Sequence, residues 1–187
     1  MFSPFLTKLL NIVLYQVGWF CCVLGGAWGY PVSGGVLALL LVGVHLLLAS
    51  SRKTEALLMV TACLLGVMVD STQQALGLFA FKTEPGWPLW LPLWVFVIWA
   101  QFATLLHYAL AWLQGRYLMA ALLGSIGGPL AYYGGGRFGA ATFPSDLLPS
   151  LLILGGCWAV VTPLLMVLAR RFSPQPLQAR YRFTTNR

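Results

Sequence analysis

Six stretches of this chain are each long and apolar enough to cross a lipid bilayer, and little sequence is left between them. A spanning helix needs about 20 mostly apolar residues at roughly 1.5 Å rise each. The stretches are Leu6–Gly25, Val32–Ser50, Ala56–Leu76, Leu89–Leu113, Tyr117–Tyr133 and Leu147–Ala169. Their apolar runs are continuous, which does not fit the alternating code of a membrane barrel, and a bilayer core then leaves helices as the way to satisfy the backbone. The expected fold class is all-α, a polytopic bundle of six transmembrane helices. Residues 1–171 form its single domain. Residues 172–187, with Pro174, Pro176 and scattered arginines, read as a flexible basic tail. Lys8 gives the first stretch the basic start of a signal peptide. No small-x-small site closes it, so it is expected to stay as a helix.

Composition narrows the function classes. Only 8% of the 187 residues are charged and 59% are hydrophobic, against roughly 25% charged in a soluble domain. That excludes a cytosolic enzyme, a disordered chain, a disulfide scaffold and a nucleic-acid module. The net charge of +7 does not argue for nucleic acid, because the basic residues punctuate apolar runs or lie in the tail. With six spans, one side carries Lys8, Arg52, Lys53, Arg116, Arg170, Arg171, Arg180, Arg182 and Arg187, and the other only Lys82 and Arg137. The positive-inside rule then places both termini in the cytoplasm. Trp28, Tyr30, Trp87, Trp90 and Trp94 mark the opposite interface, either as an aromatic belt or as a lip that admits lipid tails. Cys21, Cys22, Cys63 and Cys157 sit in apolar runs without CxxC spacing and read as small packing residues.

Polar side chains inside the spans are the candidates for function. Asp70 is the one acidic residue well inside a stretch. Gln73 and Gln74 share its helical face, and Gly66, one turn earlier, leaves room for another helix. Asp70 is therefore the candidate catalytic acid or base, with Gln73, Gln74 and Gln101 orienting substrate. The bland alternative is a buried carboxyl that locks the bundle. Counted along ideal helices, Asp70 lies about 22 Å from the boundary at Glu55, and Gln101 about 22 Å from Arg116. Trp99, a further candidate for substrate binding, and Tyr132 and Tyr133 fall near that level. A second polar layer holds His45, His107 and Gln16, about 10–13 Å from the basic side. The histidines are expected either to pack or to move protons, His107 being the candidate for catalysis. They make no metal site, because Asp70 is too far away to join them, and no cofactor is expected.

Asn11, Tyr15 and Trp19 share one face of the first span, while Gln16 points elsewhere. Two amides in one span are costly unless both face protein, so Asn11, Gln16 and His45 are read as structural polar groups. The fifth stretch carries Gly124, Gly127 and Gly128 before Pro129, a close-packing and kink signal, and Thr162-Pro163 signals a kink in the sixth. Arg137 is a candidate anchor for a phosphate or carboxylate headgroup. No nucleophile elbow, P-loop, dinucleotide fingerprint or HExxH occurs.

The stretches Asn11–Trp19, Gly66–Asp70 and Gly127–Tyr132 resemble a bacterial family of small inner-membrane proteins of unknown function. The resemblance runs from about Leu9 to Arg171. It implies a multi-pass protein of the bacterial inner membrane with a lipid-related role, because genes of the family often sit beside those for fatty-acid modification. It carries over no catalytic residues. Three functions stay open: a lipid- or fatty-acid-modifying enzyme or its membrane subunit, a small transporter of a lipid or amphiphile, and a structural partner in a membrane complex. The expected partners are membrane lipids and a second protein in the membrane. An enzyme should show a cavity open to lipid, with Asp70 lining it beside Gln101 or a histidine. A transporter should show a path touching both polar layers, and a structural partner no cavity at all.

Overall fold

Proline and glycine set the helix ends. In the computed structural model, which describes residues 2–84 and 87–172, Pro4 and Pro31 each open a helix at the position where a missing N–H costs nothing. These are α1 (Pro4–Trp28) and α2 (Pro31–Leu48). Ser3 caps α1 by accepting from the Leu6 N–H at 3.2 Å, and Gly29 ends it in the left-handed region at φ 86°, where a side chain would be strained. Four helices follow: α3 (Arg52–Ala75), α4 (Leu93–Ala103), α5 (Tyr117–Phe138) and α6 (Leu147–Phe172). Of these six, α1, α2, α3 and α6 are long and apolar enough to cross a membrane. Pro129 and Pro163 lie inside α5 and α6, which continue through them. Residues 173–187, nearly all of the expected tail, lie outside the described residues; Phe172 ends α6.

Small residues bring the helices together. On α5, a methyl group at Gly124 would overlap Thr162, and one at Gly128 would overlap the Trp158 indole; from α6, Gly155 returns the contact onto Ser125. Gly25 and Gly34 do the same between α1 and α2. Without water to drive association, such close backbone approach is what holds apolar helices to one another. α5 therefore pairs chiefly with α6 and α1 with α2, while α4 lies against α1, α2 and α3.

The fourth expected span is not one helix. α4 is 11 residues long, and the chain then winds through turns to a short 3-10 segment at Ala111–Leu113. Bonds of the i to i+3 kind take over, such as Leu106 N to Ala103 O and Tyr108 N to Leu105 O, both at 3.1 Å. Backbone groups freed inside an apolar bundle must find partners in protein, and Asn11 of α1 supplies both kinds. Its Nδ2 donates to the Thr104 carbonyl at 3.1 Å, and its Oδ1 accepts from the Ala109 N–H at 3.1 Å. Gln16, expected to face protein, is exposed instead. It is five residues beyond Asn11, and that spacing turns it off the face directed at α4.

The two longer connections meet. Ala80–Phe81 (β1) pairs antiparallel with Ala141–Thr142 (β2), Ala80 opposite Thr142 and Phe81 opposite Ala141. Lys82 crosses from the same loop to donate to the Ala27 carbonyl at 2.7 Å, so it caps the end of α1. Trp28, Tyr30 and Trp90 are exposed at this end of the bundle, whereas Trp94, expected in the same belt, is turned into the core.

Asn11→Ala should lower the thermal unfolding midpoint in mild detergent, because it removes the partners of the buried Thr104 carbonyl and the half-buried Ala109 N–H, at about 1–3 kcal/mol for the buried group. Gln16→Ala should leave the midpoint unchanged. Equal midpoints for the two variants would contradict this role for Asn11.

Candidate functional site: a cavity walled by Asp70

Gly66 decides where Trp99 goes, and Trp99 decides what Asp70 meets. With hydrogen alone at Gly66, the Trp99 indole lies flat on α3, and a methyl group there would overlap its ring. One turn on, the Asp70 carboxyl is 1% exposed. It accepts from Trp99 Nε1 at 2.8 Å and from the Tyr132 hydroxyl of α5. Trp99 stacks on Trp158 with centroids 5.2 Å apart and ring planes 12° from parallel. Three helices thus converge on one carboxyl.

Asp70 and Tyr132 form part of the wall of a cavity of about 260 Å³. An apolar cavity of roughly 150 Å³ already admits a benzene ring, so this one has room for a length of hydrocarbon chain. Aromatic rings dominate the wall: Trp19, Trp94, Trp99, Phe102, Tyr132 and Trp158. Trp94, Trp158 and Thr162 also line the space, and their N–H and hydroxyl groups have no hydrogen-bond partner among the described residues; the Trp94 N–H lies near Gly26 and the Thr162 hydroxyl near Gly124. Gly127 and Gly135 also line the cavity, and a methyl group at either would meet nothing within 4 Å. Phe81 and Ala141 of the β1–β2 pair cover one end. On the flank between α1 and α5, Trp19 and Phe20 meet Phe138 with centroids 6.2 and 6.0 Å apart. Away from that cluster, Tyr15 of α1 and Leu123 of α5 line the cavity, and Leu123 is 43% exposed.

The other sequence candidates separate from this site. Gln73 is buried on the side of Cys157 in α6, and its two amide atoms have no hydrogen-bond partner among the described residues. Gln74 holds the following loop, accepting from the Phe81 N–H at 3.0 Å and donating to the Trp90 carbonyl at 3.4 Å. Gln101 is buried against Gly18 and donates to the Ala38 carbonyl at 2.8 Å, which ties α4 to α2. None of the three glutamines lines the cavity. Arg137 is exposed in the last turn of α5.

The histidines come together on a residue that counting along the chain takes as a boundary. Glu55, in the first turn of α3, is 3% exposed. Its Oε2 lies 3.2 Å from His45 Nε2, and its Oε1 lies 2.7 Å from His107 Nδ1. The second ring nitrogen of His107 donates to the Ala169 carbonyl of α6 at 2.9 Å. With both His107 nitrogens facing oxygen acceptors, a proton is held between His107 and Glu55. The cluster joins α2, α3, the turns after α4 and the last turn of α6. Among the described residues, no group of three His, Cys, Asp or Glu side chains is arranged to hold a metal ion. The signal for Glu55 was available as a carboxylate in the first turn of an apolar helix, where the helix dipole favours it.

A family model described as "Protein of unknown function (DUF2878)" matches residues 8–164. The chain belongs to that family. No curated protein and no solved structure matches it. For this DUF2878 member, the cavity and the carboxyl in its wall therefore carry the functional argument on their own.

Glu55→Ala removes the carboxylate that two buried imidazoles share and should cost about 3–5 kcal/mol of stability. Asp70→Asn keeps an acceptor for Trp99 and should cost about 1 kcal/mol. Thermal unfolding of both variants in one detergent checks this, and an equal loss would contradict the division between a structural and a functional carboxyl.

Proposed function

We propose that this protein takes a hydrocarbon chain of a lipid or other amphiphile from the bilayer into the cavity and acts on it at Asp70. The observation that carries the reading is the placement of a buried carboxyl and a phenol, joined to each other, in the wall of an otherwise aromatic and apolar space. Asp70 is the acid or base, and Tyr132 is the donor that orients it and passes a proton to or from it. Trp99 fixes the carboxyl from the other side. The gap between α1 and α5, away from the Trp19–Phe20–Phe138 cluster, is the lateral entrance.

The same reading takes the protein as a multi-pass protein of the bacterial inner membrane. It crosses six times, α4 with the turns that follow serving as the fourth span, and both termini are cytoplasmic. The distribution of lysine and arginine supports that orientation. The reading as a lipid- or fatty-acid-modifying enzyme, or the membrane subunit of one, rests on Asp70 with Tyr132 beside it; Gln101 and the histidines, one of which is expected beside Asp70 in an enzyme, do not line the cavity. A transporter is less favoured, since the residues lining the cavity do not include His45, Glu55 or His107. A purely structural partner is less favoured as well, because Asp70 and Gln73 are buried within this chain and offer no polar face to another subunit.

In a strain lacking the gene, wild type should restore the lipid profile read by mass spectrometry, and Asp70→Asn should leave it as in the deletion. Equal restoration by both would overturn the acid–base role of Asp70. An unchanged profile in the deletion would overturn the lipid reading.

A further inference from the structure

The chain buries two carboxyls and treats them differently. Glu55 sits between two imidazoles, one of which shares a proton with it. Asp70 has neutral donors, the Trp99 N–H and the Tyr132 O–H, and no salt bridge to it is found among the described residues. Titratable groups reach its surroundings from each neighbouring element: Tyr132 from α5, Cys157 from α6 and, across the cavity, Tyr15 from α1. None of these supplies a positive charge. The described lysines and arginines are all exposed, and the cavity wall contains no Lys, Arg or His. A carboxylate left without a counter-charge in an apolar interior is costly.

Around it the cavity wall is largely aromatic, with Trp19, Trp94, Trp99, Phe102, Tyr132 and Trp158 among the lining residues. Aromatic faces attract a desolvated cation, and tryptophan does so most strongly. A carboxylate or phosphate group would meet Asp70 with no cation in the wall to offset the repulsion, only the neutral donors of Trp94, Trp158 and Thr162. Resting on the reading that the cavity binds an amphiphile chain, we infer that the amphiphile is an organic cation, a long-chain amine or quaternary ammonium compound. Its nitrogen lies against Asp70 and the surrounding rings, and its chain runs along Val95, Ile98 and Leu123.

The test compares three probes of one chain length, dodecyltrimethylammonium, dodecanol and dodecanoate, on the full chain in uncharged detergent. Bound ligand is read by native mass spectrometry. Wild type should hold the cation about tenfold more tightly than the alcohol, and the carboxylate least. Asp70→Asn should bring the cation down to the level of the alcohol while leaving the alcohol unchanged. Gly135→Leu, which fills the cavity from a buried position with open space before it, should weaken all three probes. If Gly135→Leu changes none of them, the cavity reading itself fails. If Gly135→Leu weakens them but wild type holds dodecanoate or dodecanol as tightly as the cation, the cavity reading stands and the cation is overturned. That ranking in wild type does not depend on whether Asp70→Asn folds.

Discussion

The backbone of α4 stops being helical at Thr104, and the side chain of Asn11 makes that tolerable inside an apolar bundle. A continuous helix would satisfy its own backbone; a broken one needs a donor and an acceptor delivered from outside it. Asn11 delivers both, to Thr104 and to Ala109. Two things depend on the break. The segment after it turns His107 back onto the first turn of α3, where Glu55 waits. It also sets Leu110 and Leu113 into the cavity wall. Had α4 continued as one helix, neither the cluster at Glu55 nor that side of the cavity would take its present form.

Burying a carboxyl is costly, and this chain offsets the cost in two ways. At Glu55 the offset is internal, a shared proton and two imidazoles, and the result is a joint between four elements. At Asp70 the protein supplies only neutral hydrogen bonds and leaves the carboxyl facing a space. Rigidity surrounds that space. Trp99 is seated by Gly66, Trp158 by Gly128, and one end is closed by the β1–β2 pair. A carboxyl held by rigid neighbours beside a preformed cavity is arranged to meet something that is not protein.

Much of the architecture is legible in the residues. Apolar length marks the helices, but the expected ends fall short of the observed ones, Gly25 against Trp28 for α1 and Tyr133 against Phe138 for α5. The four-residue spacing of Asn11, Tyr15 and Trp19 places them on the face that reaches α4 and the cavity. Asp70 with Gly66 marks the carboxyl that the structure sets in the wall. What could not be read is whatever depends on partners distant in the chain. Counting rise along an ideal helix puts Gln101 level with Asp70, but two residues on from Trp99 its side chain leaves another face of α4, toward Gly18 and the Ala38 carbonyl. The same counting makes Glu55 a boundary, because nothing local says that two histidines from other elements will close over it. Pairing of Ala80–Phe81 with Ala141–Thr142 joins loops some sixty positions apart, and such short strands have no periodicity to read.

The central claim is that the space beside Asp70 holds a chain that is not protein. A density map of the full protein, extracted with its native lipids into nanodiscs, tests it most directly. The account predicts elongated density between α1, α4 and α5, ending within about 3 Å of the Asp70 carboxyl. A map in which the wall side chains have closed into the space, leaving Asp70 bonded to protein alone, would contradict it.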